Sequence, residues 1–175
     1  MRRIAAAPGD VAPYVPPHWP VVEPGMMMAH VGTTMVCYVD ERMSEASFWR
    51  QLDEMEIAFR LLAEKVPPGV TRAALWHVVG NMGADAKRRK AVSDVLARHR
   101  ETLARTTSAY ALVSSSTILR GMLQAIFWLA PPPYAWSIEP TPRAGFEFLA
   151  TKQPGLDPAA CDEQYRRLLD RLRAA

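Results

Sequence analysis

The nine residues Arg72-Ala73-Ala74-Leu75-Trp76-His77-Val78-Val79-Gly80 (RAALWHVVG) decide how this chain is read. A short, mostly apolar run without clean alternation suits a strand covered on both faces. Such strands belong to sheets with helices packed on them, so helices are expected on either side in sequence. Upstream, Phe48, Leu52, Met55, Phe59 and Leu62 recur at steps of 4, 3, 4 and 3, which puts all five on one helical face. Ser44 stands where a cap is wanted, and Pro67-Pro68-Gly69 ends the helix. Downstream, a second helix is predicted from about Ala84 to Ala104, with Val92, Leu96, His99 and Leu103 as its stripe and Val95 on the flank.

The remaining elements follow by the same reasoning. Met26–His30 and Thr34–Val39, joined by Val31-Gly32-Thr33, read as a hairpin. Ser108–Val113 is a buried strand, and Thr117–Leu129 is a helix stopped by Pro131-Pro132-Pro133. Tyr134–Ile138 is a further strand, Thr141–Ala150 a short helix with Pro142 at an early position, and Asp157 caps a helix over Pro158–Arg173. Strands alternating with helices need crossovers, which favour parallel neighbours. The expectation is an α/β fold: a mixed sheet, mostly parallel with an N-terminal hairpin, flanked by helices.

Six of the fifteen prolines fall in residues 1–24, with Tyr14, His18 and Trp19 among them. Residues 1–25 are therefore expected to form an extended, Pro-rich arm, 26–150 the α/β domain and 151–175 a C-terminal helical segment. The basic start Met1-Arg2-Arg3 is followed by Pro8-Gly9-Asp10 before any apolar stretch of export-signal length. Ser108–Ala130 approaches the length of a membrane span, about 20 residues, but Arg120, Gln124 and Ser114-Ser115-Ser116 interrupt it and its period changes midway. No integral membrane segment is expected.

With 21 Lys plus Arg against 18 Asp plus Glu, the net charge of +3 is too mild to call for a nucleic-acid partner. The strongest charge feature, Lys87-Arg88-Arg89-Lys90, points its four side chains in four directions on a helix, and reads first as a solvated face. Cys37 and Cys161 are far apart and form no metal pattern; reduced thiols in the cytoplasm are the default.

No catalytic set emerges. His18 lies in the arm, while His30, His77 and His99 sit inside apolar elements, and His77 has no assigned acid or serine partner. Ser114-Ser115-Ser116-Thr117 lacks the Gly-x-Ser-x-Gly elbow, and its serines suit helix capping. No His, Cys or carboxylate set has metal-ligand spacing, so neither metal nor cofactor is expected. More informative is surplus apolar surface. Ile57 and Leu61 project away from the Phe48–Leu62 stripe, Trp49 points to a third side, and Thr117–Leu129 is apolar nearly all round except for Thr117, Arg120 and Gln124. Trp49, Ile57, Leu61, Arg120, Gln124 and Trp128 are the candidate partner-binding residues.

The order of elements over residues 26–150, with Ile118-Leu119-Arg120-Gly121, Ile126-Phe127-Trp128-Leu129 and the Pro131-Pro132-Pro133-Tyr134 turn, resembles a STAS domain, the fold of anti-sigma-factor antagonists, in its SpoIIAA-like/SEC14-like bacterial variants. The resemblance implies a regulatory module working through protein–protein contact. In that family a Ser or Thr in the loop after a central strand is the phosphoswitch. The matching loop here, Gly80-Asn81-Met82-Gly83-Ala84-Asp85-Ala86, has no hydroxyl, leaving Asn81 and the fixed charge of Asp85 at the switch position. The expected function is a non-enzymatic bacterial regulatory or scaffolding module that binds another protein, with a second copy of the chain among the candidates. The alternative is a small-molecule or lipid-binding module with a pocket between helices and sheet, near His77 and Trp128.

Overall fold

The structure, a computed structural model, describes residues 16, 18–80, 86–129 and 131–174. Its strands are β1 (Val21–Glu23), β2 (Met26–Val31), β3 (Thr34–Val39), β4 (Arg72–Val78), β5 (Thr107–Val113) and β6 (Ala135–Glu139). Its helices are α1 (Glu45–Lys65), α2 (Ala86–Arg98), α3 (Arg100–Thr106), α4 (Thr117–Leu129), α5 (Pro142–Ala150) and α6 (Pro158–Ala174). They build an α/β fold around one mixed sheet ordered β1-β2-β3-β4-β5-β6. The first three strands form an antiparallel meander, and β3 to β6 run parallel.

Side-by-side order in the parallel half sends three successive crossovers to one face, as their usual right hand requires. On that face Phe48, Leu52, Met55 and Phe59 of α1, Val95 of α2 and Leu103 of α3 cover Met26, Met28, Cys37 and Val39. α4 joins them through Phe127, whose ring meets those of Trp136 and Tyr110. On the opposite face, Phe146 and Leu149 of α5 and Tyr165 and Leu172 of α6 cover Met27, Val36, Leu75, Ala111 and Val113. Consecutive strand residues thus feed two cores, which is why RAALWHVV is apolar without alternation.

α1 begins where Ser44 Oγ accepts from Ser47 N at 3.0 Å, with Glu45 in its first turn and Lys65 in its last. The structure differs from the sequence reading in three places. The segment expected as an arm, 1–25, contributes β1, paired to β2, and buries Trp19 and Val21. Three residues flanked by prolines carry too little pattern to announce a strand, and pairing with β2 supplies what local propensity lacks. The long second helix is divided at His99, although His99 N still donates to Val95 O and Leu103 N to His99 O. Val95, placed on the flank by sequence, is the buried residue of α2.

Candidate functional site

An apolar cavity of about 60 Å³ lies between α1, α3 and the sheet. Met55, Phe59 and Tyr134 are among its walls, and Arg72, His30 and Trp76 also line it. Arg72 opens β4 with only 7% of its surface exposed, and its Nε and Nη1 have no hydrogen-bond partner. Trp76 Nε1, two turns of the pleat further along the same face, and His30 Nδ1 on β2 are also buried without partners. Among the described residues no aspartate or glutamate lines the cavity. Burial lowers the Arg72 pKa from its ordinary value; burial, then the neighbouring charge of Arg72, pushes His30 down to about 4. An unpaired buried donor costs about 1–3 kcal/mol, and a buried ion without a partner several kcal/mol. These costs fall on three residues that line one cavity.

A second polar set lies at the C-terminal ends of β3 and β4. His77 Nδ1 and Tyr165 Oη are 2.9 Å apart, and the His77 ring stands edge-on to Tyr38. Tyr38 donates to Asp40 at 2.9 Å, and Asp40 also accepts from Arg42 N, Nε and Nη2. Burial opposes the charge on Asp40, but these bonds outweigh it and hold its pKa below the usual value. The set ties α6 to the sheet. His77 does not line the cavity, and neither does Trp128.

The third feature is the outer face of α4. At about 100° per residue, Thr117, Ile118, Gly121, Met122, Gln124 and Trp128 fall on one half of the helix, and all are exposed. Leu119, Arg120, Leu123 and Phe127 fall on the other and are half-buried. Ile118, Met122 and Trp128 are 87%, 53% and 80% exposed, and these are the exposed large hydrophobics among the described residues.

The candidate partner-binding residues are thereby separated. Trp128 and Gln124 share the open face, whereas Arg120 turns back to donate to Ser114 O at 2.7 Å and Thr117 Oγ1 at 3.3 Å, anchoring the start of α4 to β5. Ile57 and Leu61 are half-buried on α1. Trp49 is half-buried too, donating to Glu45 at 3.3 Å with Lys87 Nζ 5.1 Å over its ring. Within the basic run, Arg88 lies 5.2 Å over the Phe48 ring and Lys90 bonds Asp94 at 2.7 Å, while Arg89 is exposed. These stems clasp α2 to the start of α1. Asn81, Asp85 and Tyr14 lie outside the described residues.

The serine cluster is engaged in capping: Ser116 N donates to Ser114 Oγ and Leu119 N to Ser116 Oγ. Among the described residues no group of three His, Cys, Asp or Glu is arranged to hold a metal, and no helix is long and apolar enough to cross a membrane. The sequence reading missed Arg72, His30 and Trp76 as a set. The available signal was an arginine opening an otherwise apolar run, with no acid beside it.

Fold and surfaces together define an α/β domain of helix–sheet–helix layers, with an apolar cavity inside and an uncharged apolar helix face outside. No family model, curated protein or solved structure matches the chain.

Proposed function

We propose that the chain is a non-enzymatic, STAS-like regulatory or scaffolding module of the bacterial cytoplasm that binds protein through the outer face of α4. The observation that carries this reading is that Ile118, Met122 and Trp128 stand exposed together on one helix. Monomeric surfaces seldom gather large apolar side chains in one patch, and tryptophan is enriched where interfaces draw their affinity. The element order supports the STAS-like assignment, and the buried free thiols Cys37 and Cys161 suit a reducing compartment. The use of Ser114 and Ser116 in capping, and of His77 in binding Tyr165, supports a non-catalytic role.

A second copy of the chain is the partner this face admits most simply. The exposed half carries no charge, since Arg120 turns inward, so two copies related by a two-fold axis pair without like-charge repulsion. Sedimentation velocity over a wide concentration range tests this. The expected result is reversible dimerisation that Ile118→Asp with Trp128→Asp abolishes while the fold is kept. A protein that stays monomeric at every concentration, indistinguishable from the variant, overturns the reading.

One observation favours a second reading, a small-molecule-binding module: the apolar cavity beneath α1. Native mass spectrometry of gently purified protein checks it, a stoichiometric adduct being the expected result.

A further inference from the structure

We infer that two copies of the chain pair through the outer edge of β6, antiparallel about a two-fold axis at Ser137, so that their six-stranded sheets join into one. This pairing rests on the association of two copies proposed above and goes beyond it in naming the backbone that joins them.

β6 ends the sheet on one side and β1 on the other. Sheet edges are ordinarily blunted by shortness, lysine, proline or a bulge. β1 has only three residues and follows Pro20. β6, Ala135-Trp136-Ser137-Ile138-Glu139, holds neither lysine nor proline, and its register with β5 runs without a shift. Ser114 N donates to Glu139 O at 3.0 Å, so Glu139 turns its backbone groups toward β5. By alternation Ala135 and Ser137 do the same, and the N–H and C=O groups of Trp136 and Ile138 point out of the sheet. Among the described residues no turn or loop backbone bonds to them.

This edge complements itself. Antiparallel overlap of the whole strand sets Ser137 opposite the partner's Ser137 and Trp136 opposite the partner's Ile138. The two outward-facing residues then become the hydrogen-bonded pairs, each exchanging N–H and C=O with its opposite. Glu139 falls opposite the partner's Ala135, so no like charges meet, and tryptophan beside isoleucine is a favourable cross-strand pair. The face above the joint also fits. Phe127 meets both Trp136 and Tyr110, which lays α4 over β5 and β6. With strands about 4.8 Å apart, the two α4 helices come to about 10 Å, the separation of packed helices. Their exposed Ile118, Met122 and Trp128 stand beside the joint. A two-fold contact closes, whereas β6 set on β1 would build an open filament.

The test combines cross-linking and sedimentation of the full chain. Ser137→Cys sets two thiols opposite each other in a non-hydrogen-bonded pair, with about 4.5 Å between Cα atoms and within disulfide reach. Glu139→Cys sets them about 13 Å apart, beyond it. The native Cys37 and Cys161 are buried and add little background. Mild oxidation should give a covalent dimer with Ser137→Cys and none with Glu139→Cys. Ile138→Pro removes an outward N–H at an edge position, where proline is tolerated, and should weaken dimerisation about a hundred-fold or more; Ile138→Val should leave it unchanged. Should Ile138→Pro not fold, the two cysteine variants decide. Failure of Ser137→Cys to cross-link, or a folded Ile138→Pro dimer as tight as the native one, overturns the β6 pairing. If Ile118→Asp with Trp128→Asp still abolishes the dimer in that case, the α4 reading stands. A chain monomeric throughout removes both. Assembly that grows past the dimer means β6 pairs with β1, and overturns the two-fold pairing as well.

Discussion

Trp19 donates its indole N–H to Glu54 Oε2 at 2.9 Å, joining the segment before β1 to the buried side of α1 across 35 positions of sequence. His18 Nε2 reaches the same oxygen at 2.5 Å, and the Trp19 ring tilts against His30 at a centroid distance of 5.4 Å. One carboxylate thus fixes the chain as it enters the sheet.

Removing that carboxylate strands a buried donor. Glu54→Ala should lower stability by about 1–3 kcal/mol, the cost of an unpaired polar group, with Glu54→Gln losing less because its amide oxygen can still accept. Urea denaturation followed by tryptophan fluorescence reads both. Unchanged midpoints would show that Trp19 is held by packing alone.

Two glycines separate backbone strain from lack of room. Gly25 (φ 76°) and Gly69 (φ 84°) both adopt left-handed backbone, but a Cβ at Gly25 would stand 2.2 Å from Met43 N and one at Gly69 would meet nothing within 4 Å. Gly69→Ala should cost about 1 kcal/mol from its backbone conformation, whereas Gly25→Ala must also displace Met43 and should cost distinctly more. Thermal melts of the two proteins should rank them in that order, and equal melting temperatures would contradict the crowding at Gly25.

Acid should weaken the fold before its carboxylates titrate. Burial pushes His77 down to about 4, and burial with the Arg72 charge does the same to His30, from an ordinary value of 6.5. As pH falls through 6.5 the unfolded chain takes up these protons and the native protein does not, so the unfolded state binds more of them and stability declines. The decline runs from about 6.5 to about 4, and each histidine accounts for roughly 3 kcal/mol of it. The lowered pKa of Asp40 adds a separate loss below about 3.8. Urea midpoints measured across that range should fall with pH, and His77→Gln should shallow the slope by about half. A flat profile between 6.5 and 4 would mean that both rings protonate freely in the native protein.

Apolar residues on the two helical faces should behave in opposite ways. Ile118→Asp, at a position 87% exposed, should shift unfolding by no more than about 0.5 kcal/mol, whereas Leu52→Ala in the core under α1 should cost about 2–5 kcal/mol. Equilibrium unfolding at a low, fixed protein concentration keeps any association out of the comparison. A large loss from Ile118→Asp would mean that this side chain is covered within the chain itself.

Much of the architecture was legible in the residues because each element carries its own local signal. The 4-3-4-3 spacing of Phe48 to Leu62 makes α1, and Ser44 and Pro67 bound it. The doubly covered strand β4 is legible in RAALWHVV, and the hairpin in the glycine between β2 and β3. β1 escaped because three residues carry no period, and the interruption at His99 because the apolar stripe passes through it.

The candidate sites were legible only in outline. Thr117–Leu129 is apolar nearly all round, so its pattern cannot say which half meets the sheet; Phe127 against Trp136 and Tyr110 decides that, and leaves Trp128 outside. Arg72, His30 and Trp76 are separated by up to 46 positions, and no local pattern links them. Periodicity determined helices, strands and their order, because burial on one side of an element is a property of neighbouring residues. Which side chains share a cavity, and which buried donors find no acceptor, was decided by the stacking of α1 and α3 on the sheet, because hydrogen-bond satisfaction depends on residues brought together only when those layers close.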